Sequence, residues 1–473
     1  MTVATAALQD RIARLRNEID GTVIEPGDAA YEKARTVVMG SIDRHPAAIV
    51  QVAGVDDIRA VIAAGRKTGA ELAIRSGGHS GAGYGTTEGG LVIDLRGMKA
   101  IEVDPASQTL WAETGLTAAE VSQAAGEHGL AIGFGDTGTV GIGGITTGGG
   151  IGYLVRKHGL AIDNVIAAEV VTADGELVPV DADTNPDLFW AIRGGGGNFG
   201  VVTRFRFKLA ELPQVVGGML FLPANAEIIE RFVTLADEAP EELSTIANAM
   251  PCPPMPMVPE EWHGKLVIFG LMCYAGDADA GEKALRPFRE LSKLAGLDAP
   301  IADLVRPITY PEMFPPEPGG EEGEYHPLAV SKNLLIDRVD RRVAEIVMDR
   351  LEALDAPMRA VQIRVMGGAM ARVPWDATAF AHRRYKVLVN VAAFYEGEAD
   401  RPAKEAWMDE LSDAMLAAAG ATTRCAYVNF VNDEGPERVH DVYPDETYGR
   451  LREIKRRYDP GNLFHLNQNI PPA

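Results

Sequence analysis

Two glycine-rich segments constrain the fold of this chain more strongly than any other part of the sequence. The first, residues 75–80, reads Arg-Ser-Gly-Gly-His-Ser and follows an apolar stretch at 71–74 that predicts a strand. Without Cβ atoms in the way, such a turn exposes successive backbone N–H groups, and a concave row of these donors suits phosphate oxygens. His79 ends the turn, so we expect its imidazole beside whatever the turn binds. The alternative is an ordinary surface turn that contains a histidine by chance.

Other motifs accompany this turn in a fixed order. Residues 89–95 predict a second strand, and residues 141–152 form the second segment, Gly-Ile-Gly-Gly-Ile-Thr-Thr-Gly-Gly-Gly-Ile-Gly. Leu-Phe-Trp-Ala-Ile-Arg-Gly-Gly-Gly-Gly-Asn-Phe-Gly follows at 188–200, Tyr-Asp-Pro-Gly-Asn-Leu-Phe at 458–464 and Asn-Gln-Asn-Ile at 467–470. The presence of these further motifs argues against the alternative that residues 75–80 are an ordinary surface turn.

With these motifs the chain resembles the FAD-linked oxidases of the vanillyl-alcohol-oxidase (PCMH-type) superfamily, and within it the bacterial type of the berberine-bridge-enzyme-like branch. The resemblance covers about residues 46–206 and again about 427–473. It implies that the turn at 75–80 holds the pyrophosphate of FAD, and that His79 is bonded covalently to the 8α-methyl group of the isoalloxazine. The expected partners are a small-molecule substrate and O2.

The resemblance also supplies candidate site residues. Those expected to bind the cofactor are Arg75, Ser76, Gly77, Gly78, His79, Ser80, Thr137, Thr139, Val140, Gly141, Gly144, Ile145, Gly148, Gly149, Gly152, Lys157, Asn198, Gly200, Val201, Asn429 and Asn467. Those expected to serve catalysis or contact the substrate are Tyr427, Arg364, Gln362 and Tyr84. No metal is expected.

The expected fold is α+β with two lobes, similar to that of vanillyl-alcohol oxidase. Residues 1–209 would form an FAD-binding lobe of two α/β subdomains, with a PCMH-type core at about 43–209. Residues 210–420 would form a substrate lobe whose antiparallel sheet roofs the flavin. Residues 421–473 would form a berberine-bridge-like segment that returns to the first lobe. A length of 473 residues is typical of two large lobes.

Periodicity places the main elements along the chain. Helices are predicted at 5–20, 55–66, 117–128, 339–354 and 400–419, and strands at 49–52, 71–74, 89–95, 201–207, 265–269, 362–366 and 385–394. A hairpin with an Asp-Gly turn is predicted at 168–180, and proline-rich loops at 250–259 and 315–324. Residues 195–200 match the dinucleotide-binding pattern GxGxxG, but a strand rather than a helix is predicted after them, which argues against an NAD site.

The chain departs from the family pattern at several positions. Where many members carry a second, cysteinyl flavin link, this sequence has Thr137, so one covalent bond is expected instead of two. Val140 stands where the family has a residue that gates oxygen, and a valine there resembles the oxidases. Its alternative role is that of an ordinary core valine. Ile145 replaces a histidine that lies near the flavin N1–C2 carbonyl in plant-type members, and Lys157 or a backbone dipole could substitute for it.

The catalytic base is not identified by the sequence. The family's Tyr-x-Asn-Tyr motif is Tyr-Val-Asn-Phe here, so Phe430 stands at the position of the usual base. Strand alternation places Tyr427 and Phe430 on opposite faces, so Tyr427 could not take over the role of the missing base without a bulge. Gln362 and Arg364 share one face of a predicted strand and are candidate substrate contacts. The remaining candidates for the base are Tyr84, Tyr395, His382 and Arg364, each of which could equally be a buried or surface residue without a catalytic role.

Charge and composition exclude several functional classes. A formal net charge of -22 argues against nucleic acid or an anionic membrane as a partner, because both require basic surfaces. Three cysteines without CxxC spacing argue against a disulfide scaffold or a zinc site. There is no apolar stretch long enough to span a bilayer, and the N-terminal residues do not resemble a signal peptide, so a cytoplasmic location is expected.

Three functions remain open at this stage. The leading one is an oxidase that moves a hydride from a small alcohol, sugar or secondary metabolite to FAD and then to O2, giving H2O2. The second is an FAD-containing protein that sequesters a metabolite with little turnover. The third is a dehydrogenase with an acceptor other than oxygen.

Overall fold

The first sheet of the N-terminal lobe positions the turn at 75–80. The computed structural model describes residues 6–315, 326–356 and 358–473. The strands of this sheet are Thr22–Ile24 (β1), Ala48–Gln51 (β2), Leu72–Arg75 (β3) and Leu91–Asp94 (β4), in the order β1-β2-β4-β3. Strands β2, β4 and β3 are parallel to one another, β1 is antiparallel to β2, and helix Val55–Thr68 (α3) connects β2 to β3. The turn therefore begins at the carboxyl end of a parallel strand, where open α/β sheets bind ligands.

Two short helices complete this layer. They are Ala6–Glu18 (α1) and Tyr31–Arg35 (α2). The apolar side chains of α1, Leu8, Ile12 and Leu15, are buried in the same hydrophobic cluster as α3 and the first sheet. The helical spacing of these residues explains why this segment folds as an amphipathic helix.

A second, antiparallel sheet forms the other half of the N-terminal lobe. Its strands are Ile101–Asp104 (β5), Thr109–Glu113 (β6), Val165–Val171 (β8), Leu177–Asp181 (β9) and Val201–Lys208 (β10), in the order β5-β6-β10-β8-β9. Leu130–Ala131 (β7) pairs separately with Ala210–Glu211 (β11). The helices of this half are Ala118–Gly126 (α4), Ile142–Gly148 (α5), Val155–His158 (α6) and Pro186–Ala191 (α7).

An eight-stranded antiparallel sheet, here called the roof sheet, dominates the second lobe. Its strands are Val215–Pro223 (β12), Leu243–Pro251 (β13), Leu266–Tyr274 (β14), Ala302–Asp303 (β15), Arg306–Ile308 (β16), Ala329–Ile336 (β17), Arg359–Val365 (β18) and Val387–Phe394 (β19). The order is β15-β12-β14-β13-β18-β19-β17, and β16 also pairs with β12. The helices of this lobe are Ala226–Glu238 (α8), Ala278–Arg289 (α9), Arg341–Ala353 (α10), Ala369–Arg372 (α11) and Arg401–Ala419 (α12).

The roof sheet has one apolar face and one partly polar face. On β18, Val361, Ile363 and Val365 belong to the hydrophobic cluster that the sheet forms with helices α8, α9, α10 and α12. Because side chains alternate along a strand, Gln362 and Arg364 lie on the opposite face. That face is turned toward the N-terminal lobe, where the Arg364 guanidinium contacts the carbonyl of Ile151.

The C-terminal segment packs against the second sheet of the N-terminal lobe. It contains the helices Val439–Val442 (α13) and Asp445–Tyr458 (α14). Residues from 426 to 470 share a hydrophobic cluster with strands β6, β8 and β10. The segment thus returns to the lobe from which the chain started and carries residues 427–431 and 466–468 to the wall of one cavity.

Most predicted elements are confirmed, with ends that differ by a few residues. The predicted hairpin forms from β8 and β9, and the strand predicted at 265–269 extends over Leu266–Tyr274. As predicted, the GxGxxG match is followed by strand β10, and its own residues Gly196–Phe199 form a short 3-10 helix. The loop predicted at 315–324 lies, from residue 316 onward, outside the described residues.

Candidate active site

One cavity of about 410 Å³ collects most of the predicted cofactor-binding residues. This volume is within the range of small-molecule and cofactor sites. The predicted residues that line it are Arg75, Ser76, Gly77, Gly78, His79, Ser80, Tyr84, Thr137, Val140, Gly141, Gly144, Ile145, Asn198, Gly200, Tyr427, Asn429 and Asn467. The structure therefore brings the two glycine-rich segments, the motif at 195–200 and the C-terminal motifs together in space.

Close backbone packing explains why glycine occurs where the two segments meet. A Cβ atom on Gly77 would overlap the backbone of Gly141, and a Cβ on Gly141 would overlap the amide of Gly77. Gly78 has a φ of 75°, a left-handed conformation that favours glycine. The turn can therefore approach both the neighbouring segment and a bound group without steric hindrance.

The residues around this turn fit a phosphate-containing cofactor. The amide N–H groups of Gly77, Gly78 and Ser80 donate no hydrogen bond within the described part of the chain, although these residues line the cavity. Among the described residues, the buried Nη2 of Arg75 and the buried Oδ1 of Asn467 also lack hydrogen-bond partners. Unpaired donors and acceptors at a cavity wall are costly unless a ligand pairs with them. A group with pyrophosphate oxygens and a polar ring would satisfy them.

The segment 427–430 is not a strand, so the prediction that its two aromatic residues point to opposite faces is wrong. Val428–Phe430 form a 3-10 helix, and Tyr427 is its N-cap residue. A 3-10 helix has three residues per turn, so residues three apart lie on the same side. The rings of Tyr427 and Phe430 accordingly pack edge to face with centroids 5.2 Å apart, and both line the cavity.

The hydroxyl of Tyr427 is surrounded by hydrogen-bond donors. Its oxygen accepts the backbone N–H of Gly150 at 2.8 Å and the side-chain amide of Asn429 at 2.8 Å. The ring is buried, and this burial raises the pKa of the phenol despite the two donors. At neutral pH Tyr427 is therefore a neutral group, and its hydroxyl proton is free to be donated.

Arg364 is engaged in contacts within the chain. Its side chain is buried; Nε and Nη2 donate to Oε1 of Gln362, and Nη1 donates to the carbonyl of Ile151 at 3.1 Å. Nη2 also forms an ion pair of 2.8 Å with Oδ2 of Asp136. Neither Gln362 nor Arg364 is among the cavity-lining residues. With its donors paired in this way, Arg364 is better placed to hold Asp136 than to bind a substrate.

Several other predicted residues lie behind the cavity wall. Those that do not line it are Thr139, Gly148, Gly149, Gly152, Lys157 and Val201. Gly148 and Gly149 pack instead against Asn429 and Tyr427, where a Cβ atom would be too close. They support the site by letting the C-terminal segment approach.

Lys157 does not replace the missing histidine at position 145. Its ammonium donates to the carbonyl of Ala275 at 2.6 Å and lies 4.0 Å from a carboxylate oxygen of Glu242. Both partners belong to the second lobe, so the lysine links the lobes instead of facing the cavity. The expectation that Lys157 compensates for Ile145 is therefore wrong.

The other candidates for a base differ in position. Tyr84 lines the cavity, and burial raises its phenol pKa. Tyr395 hydrogen-bonds Glu398 at 3.4 Å, and Nε2 of His382 lies 2.9 Å from the carbonyl of Asp441; neither lines the cavity. Of the tyrosines predicted as candidates, Tyr84 and Tyr427 therefore line the cavity and Tyr395 does not.

Sequence reasoning missed Asp136, a carboxylate in the cavity wall. It lies directly before Thr137, within the segment that the family motif covers, but a single aspartate in a glycine-rich loop carries no pattern of its own. Its partner Arg364 lies 228 residues further along the chain. Only folding brings the two together. In the described part of the chain, no cluster of three or more His, Cys, Asp or Glu residues could hold a metal ion.

Comparisons with known proteins agree with this geometry. A family model described as "FAD binding domain" matches residues 46–181, and one described as "Berberine and berberine like" matches residues 426–471. The (R)-6-hydroxynicotine oxidase of Paenarthrobacter nicotinovorans is 30% identical over 466 residues, which cover 96% of this chain and 97% of that protein.

The chain belongs to the berberine-bridge-enzyme-like family of FAD-linked oxidases. A second relative, the xylooligosaccharide oxidase of Thermothelomyces thermophilus, is also 30% identical, over 90% of this chain and 88% of that protein. The solved structure of the xylooligosaccharide oxidase from Myceliophthora thermophila with xylobiose superposes with a TM-score of 0.83 at 25% identity, covering 99% of this chain and 100% of that one. The two-lobed fold and the FAD-dependent oxidoreductase function predicted from the sequence are thereby confirmed.

The family assignment bears on the role of the cavity. An FAD-binding oxidoreductase needs a site for its cofactor, and most of the residues predicted to bind it line the cavity described above. The polar face of the roof sheet is turned toward the lobe that contains this cavity. Each helix within residues 6–315, 326–356 and 358–473 is too short or too polar to act as a membrane span.

Proposed function

We propose that this FAD-linked oxidoreductase oxidises a small neutral molecule, such as an alcohol, a sugar or a secondary metabolite, with FAD attached through His79 and with O2 as the final acceptor, giving H2O2. The observation that carries the proposal is the position of His79 in the cavity wall, at the end of the donor-rich turn. When bound, FAD supplies the two-electron acceptor, and the chain supplies binding, orientation and electrostatics.

A single covalent link is proposed because no cysteine is placed to form a second one. Thr137 lines the cavity at the position where many relatives carry the cysteinyl link. The chain's cysteines, Cys252, Cys273 and Cys425, are all buried outside the cavity wall. All three are also free thiols, which is typical of a reducing compartment and supports a cytoplasmic location.

A row of amide side chains on the roof sheet, outside the cavity wall, favours a neutral substrate that forms hydrogen bonds where it reaches this sheet. Asn248, Gln362, Asn390 and Asn333 are register partners on β13, β18, β19 and β17, so they form one line across the polar face of the roof sheet. Among the described residues, the buried Oδ1 of Asn390 and the buried Nδ2 of Asn333 have no hydrogen-bond partner. Hydroxyl groups of a substrate can pair with both an acceptor and a donor. A charged ligand would find no free counter-charge in this row.

The test is a peroxide assay on the purified holoenzyme with xylobiose, glucose, benzyl alcohol and (R)-6-hydroxynicotine. We expect at least one compound to bleach the flavin anaerobically and to release H2O2 in air. Bleaching without peroxide, with turnover restored by an artificial quinone, would instead establish the dehydrogenase alternative. Tight binding of a panel compound without bleaching would favour the sequestering alternative and contradict the proposal.

Oxygen use gives a separate prediction at Val140. This half-buried side chain lines the cavity and is outside the packed hydrophobic clusters, so it is exposed to whatever the cavity contains. Val140→Leu adds one methylene group at this wall and is expected to slow reoxidation of photoreduced enzyme by O2 about tenfold, a barrier increase of about 1.4 kcal/mol.

Stopped-flow mixing of the photoreduced enzyme with oxygenated buffer measures this rate without any substrate. The matched control is Val428→Leu, which enlarges another valine of the cavity wall. We expect the control to reoxidise at the wild-type rate. If Val140→Leu and the wild-type enzyme are reoxidised by O2 at equal rates, Val140 does not control the access of oxygen.

A further inference from the structure

The carboxylate of Asp136 is held in the cavity wall with one oxygen paired and one oxygen available. Oδ2 accepts Nη2 of Arg364 at 2.8 Å, and the side chain is 19% exposed. Oδ1 receives no hydrogen bond from the part of the chain that the structure describes. Asp136 and its neighbours Gly135 and Thr137 all line the cavity. An ionised carboxylate with an unpaired oxygen at the wall of an enzyme cavity is well suited to accept a proton.

Arg364 is in turn fixed by a chain of side-chain hydrogen bonds that reaches across the roof sheet. Gln362 accepts Nε of Arg364 at 2.9 Å and donates to Oδ1 of Asn248 at 2.9 Å. Asn248 then donates to the backbone carbonyl of Phe269 at 3.0 Å. The guanidinium also lies over the ring of Phe430, 5.1 Å from its centroid. Such a network restricts rotation of the guanidinium, so the orientation of Asp136 is restricted as well.

We propose that Asp136 is the proton acceptor of the oxidation reaction and that Arg364 is the residue that positions it. The inference rests on the proposed function. For an alcohol substrate, the carbinol C–H bond breaks and its hydrogen leaves with the electron pair to FAD, while the O–H bond breaks and its proton goes to Oδ1 of Asp136. The carbon–oxygen double bond forms, and FAD, the oxidant, is reduced by two electrons. Asp136 then releases the proton, and O2 takes up two electrons and two protons as H2O2.

The neighbouring groups agree with this assignment. Within the described part of the chain, Tyr153 is a second titratable group beside Asp136: its hydroxyl donates to the Asp136 backbone carbonyl at 3.3 Å, and burial raises its pKa. Tyr153 is therefore neutral and does not compete for the proton. The phenol of Tyr427 already accepts two N–H donors and is itself protonated at neutral pH, so it is a donor in this cavity.

The decisive variant is Asp136→Asn, which keeps the shape and an oxygen acceptor for Arg364 but cannot take up the proton. The probe is the compound among xylobiose, glucose and benzyl alcohol, each of which carries a carbinol group, that bleaches the wild-type flavin fastest. We expect anaerobic bleaching to slow by about 10²–10⁴-fold, the range for loss of a general base. We also expect wild-type behaviour in the amount of flavin bound, the binding of the probe followed by its difference spectrum and the O2 reoxidation of photoreduced enzyme, while the melting temperature falls because the ion pair with Arg364 is lost.

A second measurement separates proton transfer from support of the fold. The wild-type bleaching rate is expected to fall at acid pH, because a protonated carboxylate cannot accept the substrate proton. This acid limb of the pH–rate profile should be absent in Asp136→Asn. Arg364→Gln should bleach more slowly than wild type, and Arg364→Lys, which restores a cation beside Asp136, should recover part of the rate. A purely structural role of Arg364 would give no such recovery with lysine.

The matched control is Asp163→Asn. Asp163 forms another buried carboxylate–guanidinium pair, with Arg383 at 2.7 Å, but does not line the cavity. This variant should lose stability without losing the acid limb. Wild-type bleaching by Asp136→Asn would overturn the assignment and leave the proposed oxidase intact. If none of the tested compounds bleaches the flavin of the wild-type enzyme, the proposed function is contradicted, and the role assigned to Asp136 is contradicted with it.

Discussion

Replacing His79 by alanine is expected to convert a flavin that stays with the acid-precipitated polypeptide into one that washes off completely. The physical reason is that the turn at 75–80 and the segment at 141–152 would hold the proposed cofactor only by reversible contacts, whereas a histidyl bond would survive denaturation. Among the described residues, His79 is the histidine that lines the cavity. Some FAD should still bind to the variant, because the N–H donors of the turn belong to the backbone.

The measurement is acid precipitation followed by absorbance of pellet and supernatant, with mass mapping of the flavin-bearing peptide. Two controls bracket the result. Thr137→Ala removes the side chain at the position of the second link in relatives, and His465→Ala removes an imidazole whose Nε2 lies 3.2 Å from Glu71 instead of facing the cavity. Both should keep the flavin attached. A yellow pellet from His79→Ala would show that the link is elsewhere.

Lys455→Met is expected to produce the largest loss of stability, about 3–5 kcal/mol, because it leaves a buried carboxylate without its cation. Lys455 and Asp459 are both fully buried, and Nζ lies 2.6 Å from Oδ2. The same ammonium donates to the carbonyls of Asn198 and Phe464 at 2.6 and 3.0 Å. It therefore joins helix α14 to the motif at 195–200, which lines the cavity, and to the C-terminal motif.

Guanidinium unfolding of the holoenzyme, with flavin release as a second signal, measures this loss. The matched control is Arg457→Met on the same helix, which removes an exposed cation paired with Asp187 at 2.7 Å and should cost at most about 1 kcal/mol. Adding Asp459→Asn to Lys455→Met should recover part of the stability, because the unpaired charge disappears while an acceptor remains for the amide of Phe464. Equal stability of Lys455→Met and Arg457→Met would show that the buried pair contributes nothing.

Local patterns were sufficient for most of the secondary structure. The helix predicted at 117–128 begins with a capping box, in which the Thr117 hydroxyl accepts the Glu120 amide and the Glu120 carboxylate accepts the Thr117 amide. The Asp-Gly turn closes the hairpin of β8 and β9. These features depend on residues within a few positions of each other, and such interactions are present in any context that leaves the segment intact.

The segment 427–430 shows where local reasoning fails. Tyr-Val-Asn-Phe is rich in residues that favour strands, yet it folds as a 3-10 turn. The reason is tertiary: Asn429 donates to the carbonyl of Ile145 at 3.0 Å, and the amide of Tyr427 donates to the side chain of Asn333. Contacts to the glycine-rich segment and to the roof sheet thus override the strand propensity, and they place Tyr427 and Phe430 on one side.

The family could be read from the sequence because its motifs are contiguous, and the close approach of the turn at 75–80 to the segment at 141–152 requires glycines in a fixed order. The direction of individual side chains could not be read in this way. Lys157 turns to the second lobe, Asp136 meets Arg364 across 228 positions, and Lys455 reaches Asn198 across 257. Such contacts depend on how the lobes and the C-terminal segment pack, and the free energy of that packing is spread over residues that share no local pattern.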